Sequence, residues 1–260
     1  MEKFTKLYLK CIKIAIAGAM AYRLNFILST LLATILNALF PLVTILIYNA
    51  GASFPGWGFH EVLLIQGIFL LTNSLAALMF DGVLWSSMSH IREGTFEIVL
   101  LKPLPPLSFL IATSFTPEIF GGVVAGVILF SVSLSFTGIA GAIAIFQFLV
   151  MFAGGFSVIT GLYMMMAAMS FKWVGNSRLT EIFDSIMTFG KYPASIFPSA
   201  IRGIATFIIP VAMIGFFPAS ALLGRAEGVM FLAVIPCLLF MLLGIWIYNK
   251  MIRLYEGVGG

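Results

Sequence analysis

Few side chains in this sequence can do chemistry, because only 9% of its 260 residues carry charge. The two histidines, His60 and His90, fall on opposite expected sides of an apolar run, and no cluster has metal-ligand spacing. Ser89, His90 and Asp81 crowd into one stretch, but nothing nearby in sequence supplies an oxyanion site, so they make no nucleophilic triad. No Gly-rich loop ends in Gly-Lys-Ser/Thr, so the chain is not expected to hydrolyse nucleotide. We read it as no enzyme, with no cofactor or metal of its own. Met164, Met165, Met166 and Met169 are packing residues rather than a copper conduit. Cys11 and Cys237 stand far apart and suggest no disulfide framework. Glu118, inside an apolar run, is the one embedded acid. Two readings stay open for it: a structural pairing with a basic residue near the interface, or a place on a translocation path.

The richest constellation is the polar island SSMSHIREGTFEIVLLKPLPP, residues 86–106. Arg92, Glu93, Glu97 and Lys102 offer charge to a soluble partner. Ile91, Phe96, Ile98, Leu100 and Leu101 hold the same segment to the bilayer surface or the bundle. Pro103, Pro105 and Pro106 stiffen the return. Such a lever passes a partner's movement inward; an ordinary solvated loop accounts equally well for the charges alone.

The elements that must position this island are membrane helices. The sequence is 61% hydrophobic with mean hydropathy +1.12, whereas soluble domains carry about 25% charged residues. Residues 1–23, with Lys3, Lys6, Lys10, Lys13 and Arg23, form a basic amphipathic helix lying in the interface, retained rather than cleaved as a signal. Six spans are expected at 26–48, 62–80, 107–137, 142–170, 204–217 and 229–248. Asn73 is read as interhelical glue, and Pro41 as a kink site. Residues 172–202 read as a second polar island on the N-terminal side. That topology sets thirteen Lys and Arg against Arg225 alone, so both termini are expected in the cytoplasm. The net charge of +4 reflects this topology rather than nucleic-acid binding.

The island IREGTFEIVLLKPLPP, residues 91–106, resembles a signature of ABC-2 type transporter permeases, in the six-span subgroup related to multidrug or daunorubicin-type exporters. The stretch KYPASIFPSAIRGIATFIIPVAMIGFFPASALLG, residues 191–224, and the tail NKMIRLYEGVGG are similar to the same subgroup. The resemblance implies one all-α transmembrane domain over residues 1–260. Residues 1–23 would be its elbow helix, and 86–106 its coupling loop, with Arg92, Glu93, Phe96, Glu97 and Lys102 meeting the ATPase. Residues 218–228 would be an outer re-entrant segment, with Pro210 and Pro218 as hinges. It further implies two copies of a separate ATP-binding ATPase, and a second permease, identical or a sister subunit. The setting would be a bacterial-type inner membrane, and the task export of a drug-like or lipid-like cargo. Spans one, two and five are expected to line the path. Apolar path walls favour an amphipathic cargo over a sugar or metal ion. An ion-coupled secondary carrier would need more embedded polar groups than Glu118 and an internal repeat. A non-transporting assembly or immunity component is the remaining alternative.

Overall fold

The computed structural model describes residues 2–173 and 178–255, and among these every regular element is helical. Residues 174–177 of the second polar island, and the last five of the tail, lie outside the described residues. Helix α1 (Glu2–Ala21) ends at Tyr22, whose backbone leaves the helical region at φ −111° and ψ 58°. It turns away there from α2 (Arg23–Asn49) and packs chiefly on α5 (Pro106–Thr113). Pro41 is accommodated inside α2 without ending it.

The mast of the molecule is α3 (Phe59–Arg92), 34 residues long. At 1.5 Å per residue it measures about 50 Å, more than a hydrocarbon layer of about 30 Å, so its last turns must emerge. It packs on α6 (Phe120–Thr137), α7 (Ala142–Met169), α2 and α10 (Phe216–Leu222). Helix α12 (Val234–Ile252), preceded by the short α11 (Gly228–Leu232), lies along α7. Small residues allow that approach: a Cβ on Gly244 would stand 2.5 Å from the Gly161 carbonyl oxygen.

The bundle has two ends. The N-terminal end carries α1, the α4 hairpin (Phe96–Leu100), residues 170–173 and the chain's last described turn. The distal end carries the 50–58 loop, the 138–141 turn and residues 223–227, joined in part by Ala140 N–H donating to the Leu222 carbonyl. Among the described residues, five helices are long and apolar enough to cross a membrane: 23–49, 59–92, 117–137, 142–169 and 228–252.

Three expectations need correction. The apolar run 107–137 is not one span. Helix α5 stops at Thr113, and a 3-10 turn at Pro117–Ile119 precedes α6. The break is seated on α3: Thr116 N–H donates to the Leu78 carbonyl, and Ser114 packs where a Cβ on Gly82 would otherwise fall. Pro117 lacks an N–H and fits only a helix's first turn.

The segment 204–217 is not a crossing. Helix α9 (Ser199–Gly203) continues as a π-helical turn through Ile208, breaks at Ile209-Pro210, and returns through Val211–Met213 into α10. Ile209 borders Phe240, midway along α12, and Met213 lies against Gly154 and Gly155, midway along α7. Residues 199–222 thus enter from the distal end, turn at mid-depth and leave by the same end. Pro210 cannot continue the descending helix, and its neighbours bury the freed backbone in protein.

Residues 172–202 do not stay at the N-terminal end. Tyr192 packs on Phe54 and Ser195 accepts a hydrogen bond from the Trp57 indole, both at the distal end. Helix α8 (Arg178–Thr188) and the 3-10 turn Phe189–Lys191 therefore traverse the bundle. Arg202 joins Arg225 at the distal end, and Lys191 lies between the ends.

Candidate functional site

The α4 hairpin is built by a tight turn that stops α3. Gly94 takes φ 66°, a left-handed value that other residues rarely adopt. His90 Nδ1 and Thr95 Oγ1 lie 2.8 Å apart, Thr95 N–H donates to the His90 carbonyl, and Ser89 donates to Glu93 at 2.7 Å. Asp81 accepts instead from Trp85, so Asp81, Ser89 and His90 each have another partner. Phe96, one of the five residues read as meeting an ATPase, points the other way. It is fully buried, edge-on to Phe171 with centroids 4.9 Å apart and against Tyr255. Val99 is buried beside it, and Phe171 packs on Tyr248, whose hydroxyl lies 2.7 Å from the Ser87 hydroxyl. Arg92, Glu93, Glu97 and Lys102 are exposed. So are Ile98, Leu100 and Leu101, the last at 83%, so these three do not pack into the bundle. The hairpin is therefore two-faced: an aromatic wedge inward, a mixed charged and aliphatic surface outward. Lys102 sets its ammonium over the Phe109 ring at 5.8 Å, tying the hairpin's exit to α5.

Glu118 is exposed on the 3-10 turn that opens α6 at the N-terminal end. It forms no ion pair among the described residues. Pro210 is buried at the bottom of the re-entrant segment, and Pro218 is buried in the first turn of α10, where its missing N–H costs nothing.

At the distal end, Glu61 and Arg225 form a clasp. Arg225 Nη2 donates to Glu61 Oε1 at 2.6 Å and Nη1 to Oε2 at 3.2 Å, while Gly58 N–H donates to the same carboxylate. The guanidinium also lies 5.1 Å from the Trp57 ring. The clasp joins the 50–58 loop to the exit of the re-entrant segment. It is half open to solvent, so Arg225→Ala is expected to lower stability by about 1 kcal/mol. Thermal unfolding of the purified protein measures this, and a salt-insensitive result equal to wild type would contradict it.

Between α2, α3 and α8 an open cleft of about 200 Å³ is lined by Asn37, Gln66, Asn73, Tyr163, Asp184 and Lys191 among others. The Lys191 ammonium sits over the Phe69 ring, and Tyr163 packs on Phe183. Asn73 makes no hydrogen bond among the described residues and is not the interhelical glue its position suggested.

Membrane-length helices, a two-faced hairpin at one end and a bent re-entrant pair at the other form one helical bundle. Residues 31–259 match the family model described as ABC-2 family transporter protein. The chain belongs to the ABC-2 transporter family. No curated protein and no solved structure matches it. An ABC-2 family protein is a membrane component of an ABC transporter, a class that works with a separate ABC ATPase.

Within this ABC-2 protein, sequence reasoning found the hairpin and missed the cleft. Asp184 and Lys191 belong to the stretch 172–202 that reads from sequence as a polar island on the N-terminal side. The signal was the apolar stripe of Phe183, Ile186 and Met187 beside them, a pattern that fits a helix packed on protein as well as one lying at an interface.

Proposed function

We propose that this chain is the membrane-spanning subunit of an ATP-driven exporter, with its N-terminal end in the cytoplasm of a bacterial-type inner membrane. All of its fourteen Lys and Arg residues except Lys191, Arg202 and Arg225 belong to the N-terminal end, a bias that supports this orientation. Helix α1 acts as the elbow, lying in the interface before the chain turns inward at Tyr22. The traversing α8 supplies a sixth crossing, short enough to need protein on its flanks. Two such permeases, identical or sister subunits, enclose the path, and two ATPase copies drive it. The cargo is amphipathic or drug-like.

The observation that carries this reading is the two-faced hairpin. A loop that merely solvated its charges would have no reason to bury Phe96 and Val99 while exposing Ile98, Leu100 and Leu101. A lever needs both faces, one locked to the helices it moves and one presented to the engine. Movement at the outer face reaches α3 through the Gly94 turn and α12 through Phe171 and Tyr248. Asp184 lies on the traversing α8, yet it shares its cleft with Lys191 and forms no chain of acids, so a proton relay gains no support.

The test is purification of the tagged full chain from native membranes. A subunit with a Gly-Lys-Ser/Thr phosphate loop is expected to co-purify in comparable amount, and Arg92→Glu with Glu97→Lys is expected to lower that yield about tenfold. A monodisperse permease without any such subunit, or full retention of it by the charge-reversed variant, would refute the reading.

A further inference from the structure

The cleft between α2, α3 and α8 gathers polar groups deep in the bundle. Gln66 and Asn73 stand seven and fourteen residues into α3. At 1.5 Å per residue that is about 10 and 21 Å below the distal end, within a layer about 30 Å thick. Polar groups held at that depth without partners cost several kcal/mol each. Yet the Gln66 side chain, 2% exposed, donates its amide to Thr44 Oγ1 at 2.7 Å and leaves its carbonyl oxygen with no donor. Asn73 faces the same space without a hydrogen bond among the described residues. Asp184 is exposed along the cleft's open side. A carboxylate there cannot face lipid, so the open side meets water, a ligand or a second subunit.

We infer that this cleft is a recognition site for the head group of an amphipathic cargo, and that the head group is hydroxyl- or amide-rich with no net charge. Three features set that chemistry. The orphaned Gln66 carbonyl and the Asp184 carboxylate accept, while the Asn73 amide both donates and accepts, so a ligand whose groups do both, hydroxyls or amides, fits the lining. Asp184 and Lys191 bring opposite charges to one cleft, so neither an anionic nor a cationic head group gains a net attraction. The volume of about 200 Å³ falls below the 300–1,000 Å³ of a pocket for a whole drug-sized molecule, so it takes a head group only. The tail has an adjoining surface. Phe183 walls both the cleft and an apolar groove of about 480 Å³, lined by Leu162, Met165, Met166, Ile186 and Phe240.

This inference deepens the transport reading above, and it fails separately from it, because the test needs no ATPase. A single cysteine is placed at Asn73 in a Cys11→Ser, Cys237→Ala background, and the full chain is reconstituted in lipid nanodiscs. Its labelling rate by a charged, membrane-impermeant thiosulfonate is followed with decyl glucoside, decyl sulfate or decyltrimethylammonium present. The three probes share a tail and differ in head. Labelling is expected to proceed, and decyl glucoside is expected to slow it about tenfold while the two ionic probes do not. Gln66→Leu is expected to abolish the glucoside's protection, and Asp184→Asn to weaken it, with labelling itself retained. No labelling at all would mean the cleft is sealed polar packing and overturn the inference. Equal protection by all three probes, or by none, would overturn it as well. Selective protection in a chain that never co-purifies an ATPase would leave the site standing and remove the exporter.

Discussion

Phe96→Ala is expected to detach the α4 hairpin from the bundle while leaving the helices assembled. Phe96 is fully buried in a ring cluster with Phe171 and Tyr255, and Phe171 carries the contact on to Tyr248. Truncating a buried Phe costs about 3–5 kcal/mol when the hole cannot collapse. Here the ring is the main apolar anchor of a five-residue helix, with Val99 beside it, and the rest of that helix's aliphatics face outward. The loss therefore falls on the hairpin rather than on the spans. Two measurements separate these. Limited proteolysis should cut between residues 93 and 105 in the variant and spare the wild type. ATP hydrolysis by the complex should persist while its dependence on cargo disappears, since an unanchored lever moves without moving α3 or α12. Phe96→Leu should keep most of the wild-type behaviour, because it still fills the cavity. A protease pattern unchanged by Phe96→Ala would show that the wedge does not hold the hairpin.

The hairpin was legible in the sequence because its two signals agree. Charge interrupts the apolar run at Arg92 and Glu93, and three prolines close the interruption by Pro106. Which aromatic faced inward was not legible, since Phe96, Ile98, Leu100 and Leu101 read alike until Phe171 and Tyr255 are brought beside them from other parts of the chain. The long spans were legible for the same reason that hydropathy works in membranes: a lipid-facing helix has no polar option. Helix α8 and the re-entrant pair escaped that rule because each rests one side on the bundle: Met187 is buried beneath α8, and the turn at Pro210 and the whole returning arm are buried. Packed on α7, α3 and α12, the segment 178–222 carries Lys191 and broken backbone to mid-depth, with Asp184 on its open side. Hydropathy alone assigns such charges to the membrane surface and such apolar runs as 204–217 to a crossing, whereas packing against neighbouring helices decides where both go. The prolines at 193, 198, 210 and 218 were visible as punctuation, but the direction of the chain after each depends on what it packs against.

Gly155→Leu is expected to disrupt the re-entrant turn strongly. A Cβ at Gly155 would stand 2.5 Å from the Met213 carbonyl oxygen and 2.9 Å from the Ile214 Cα. Both neighbours are backbone atoms at the turning point of the re-entrant segment, and Met213 and Ile214 are fully buried. Relief by rotating a side chain is therefore closed, and the turn itself must move. Overpacking costs about 1–3 kcal/mol where side chains can give, so a collision with backbone is expected at or above the top of that range. The displaced turn would also pull Gly215 from its seat, where a Cβ would lie 2.7 Å from the Ile65 carbonyl oxygen. Because the climbing arm of the segment leads to Arg225, the distal clasp should open in the same variant. Gly203→Ala supplies the contrast. Gly203 also belongs to the re-entrant segment, yet nothing lies within 4 Å of a Cβ there, and alanine favours the helix by about 1 kcal/mol. Thermal unfolding in nanodiscs should therefore move in opposite directions, a large loss for Gly155→Leu and no loss for Gly203→Ala. If both variants melted like wild type, the descending and returning arms could not be packed against α7, and residues 199–222 would have to lie on the surface instead.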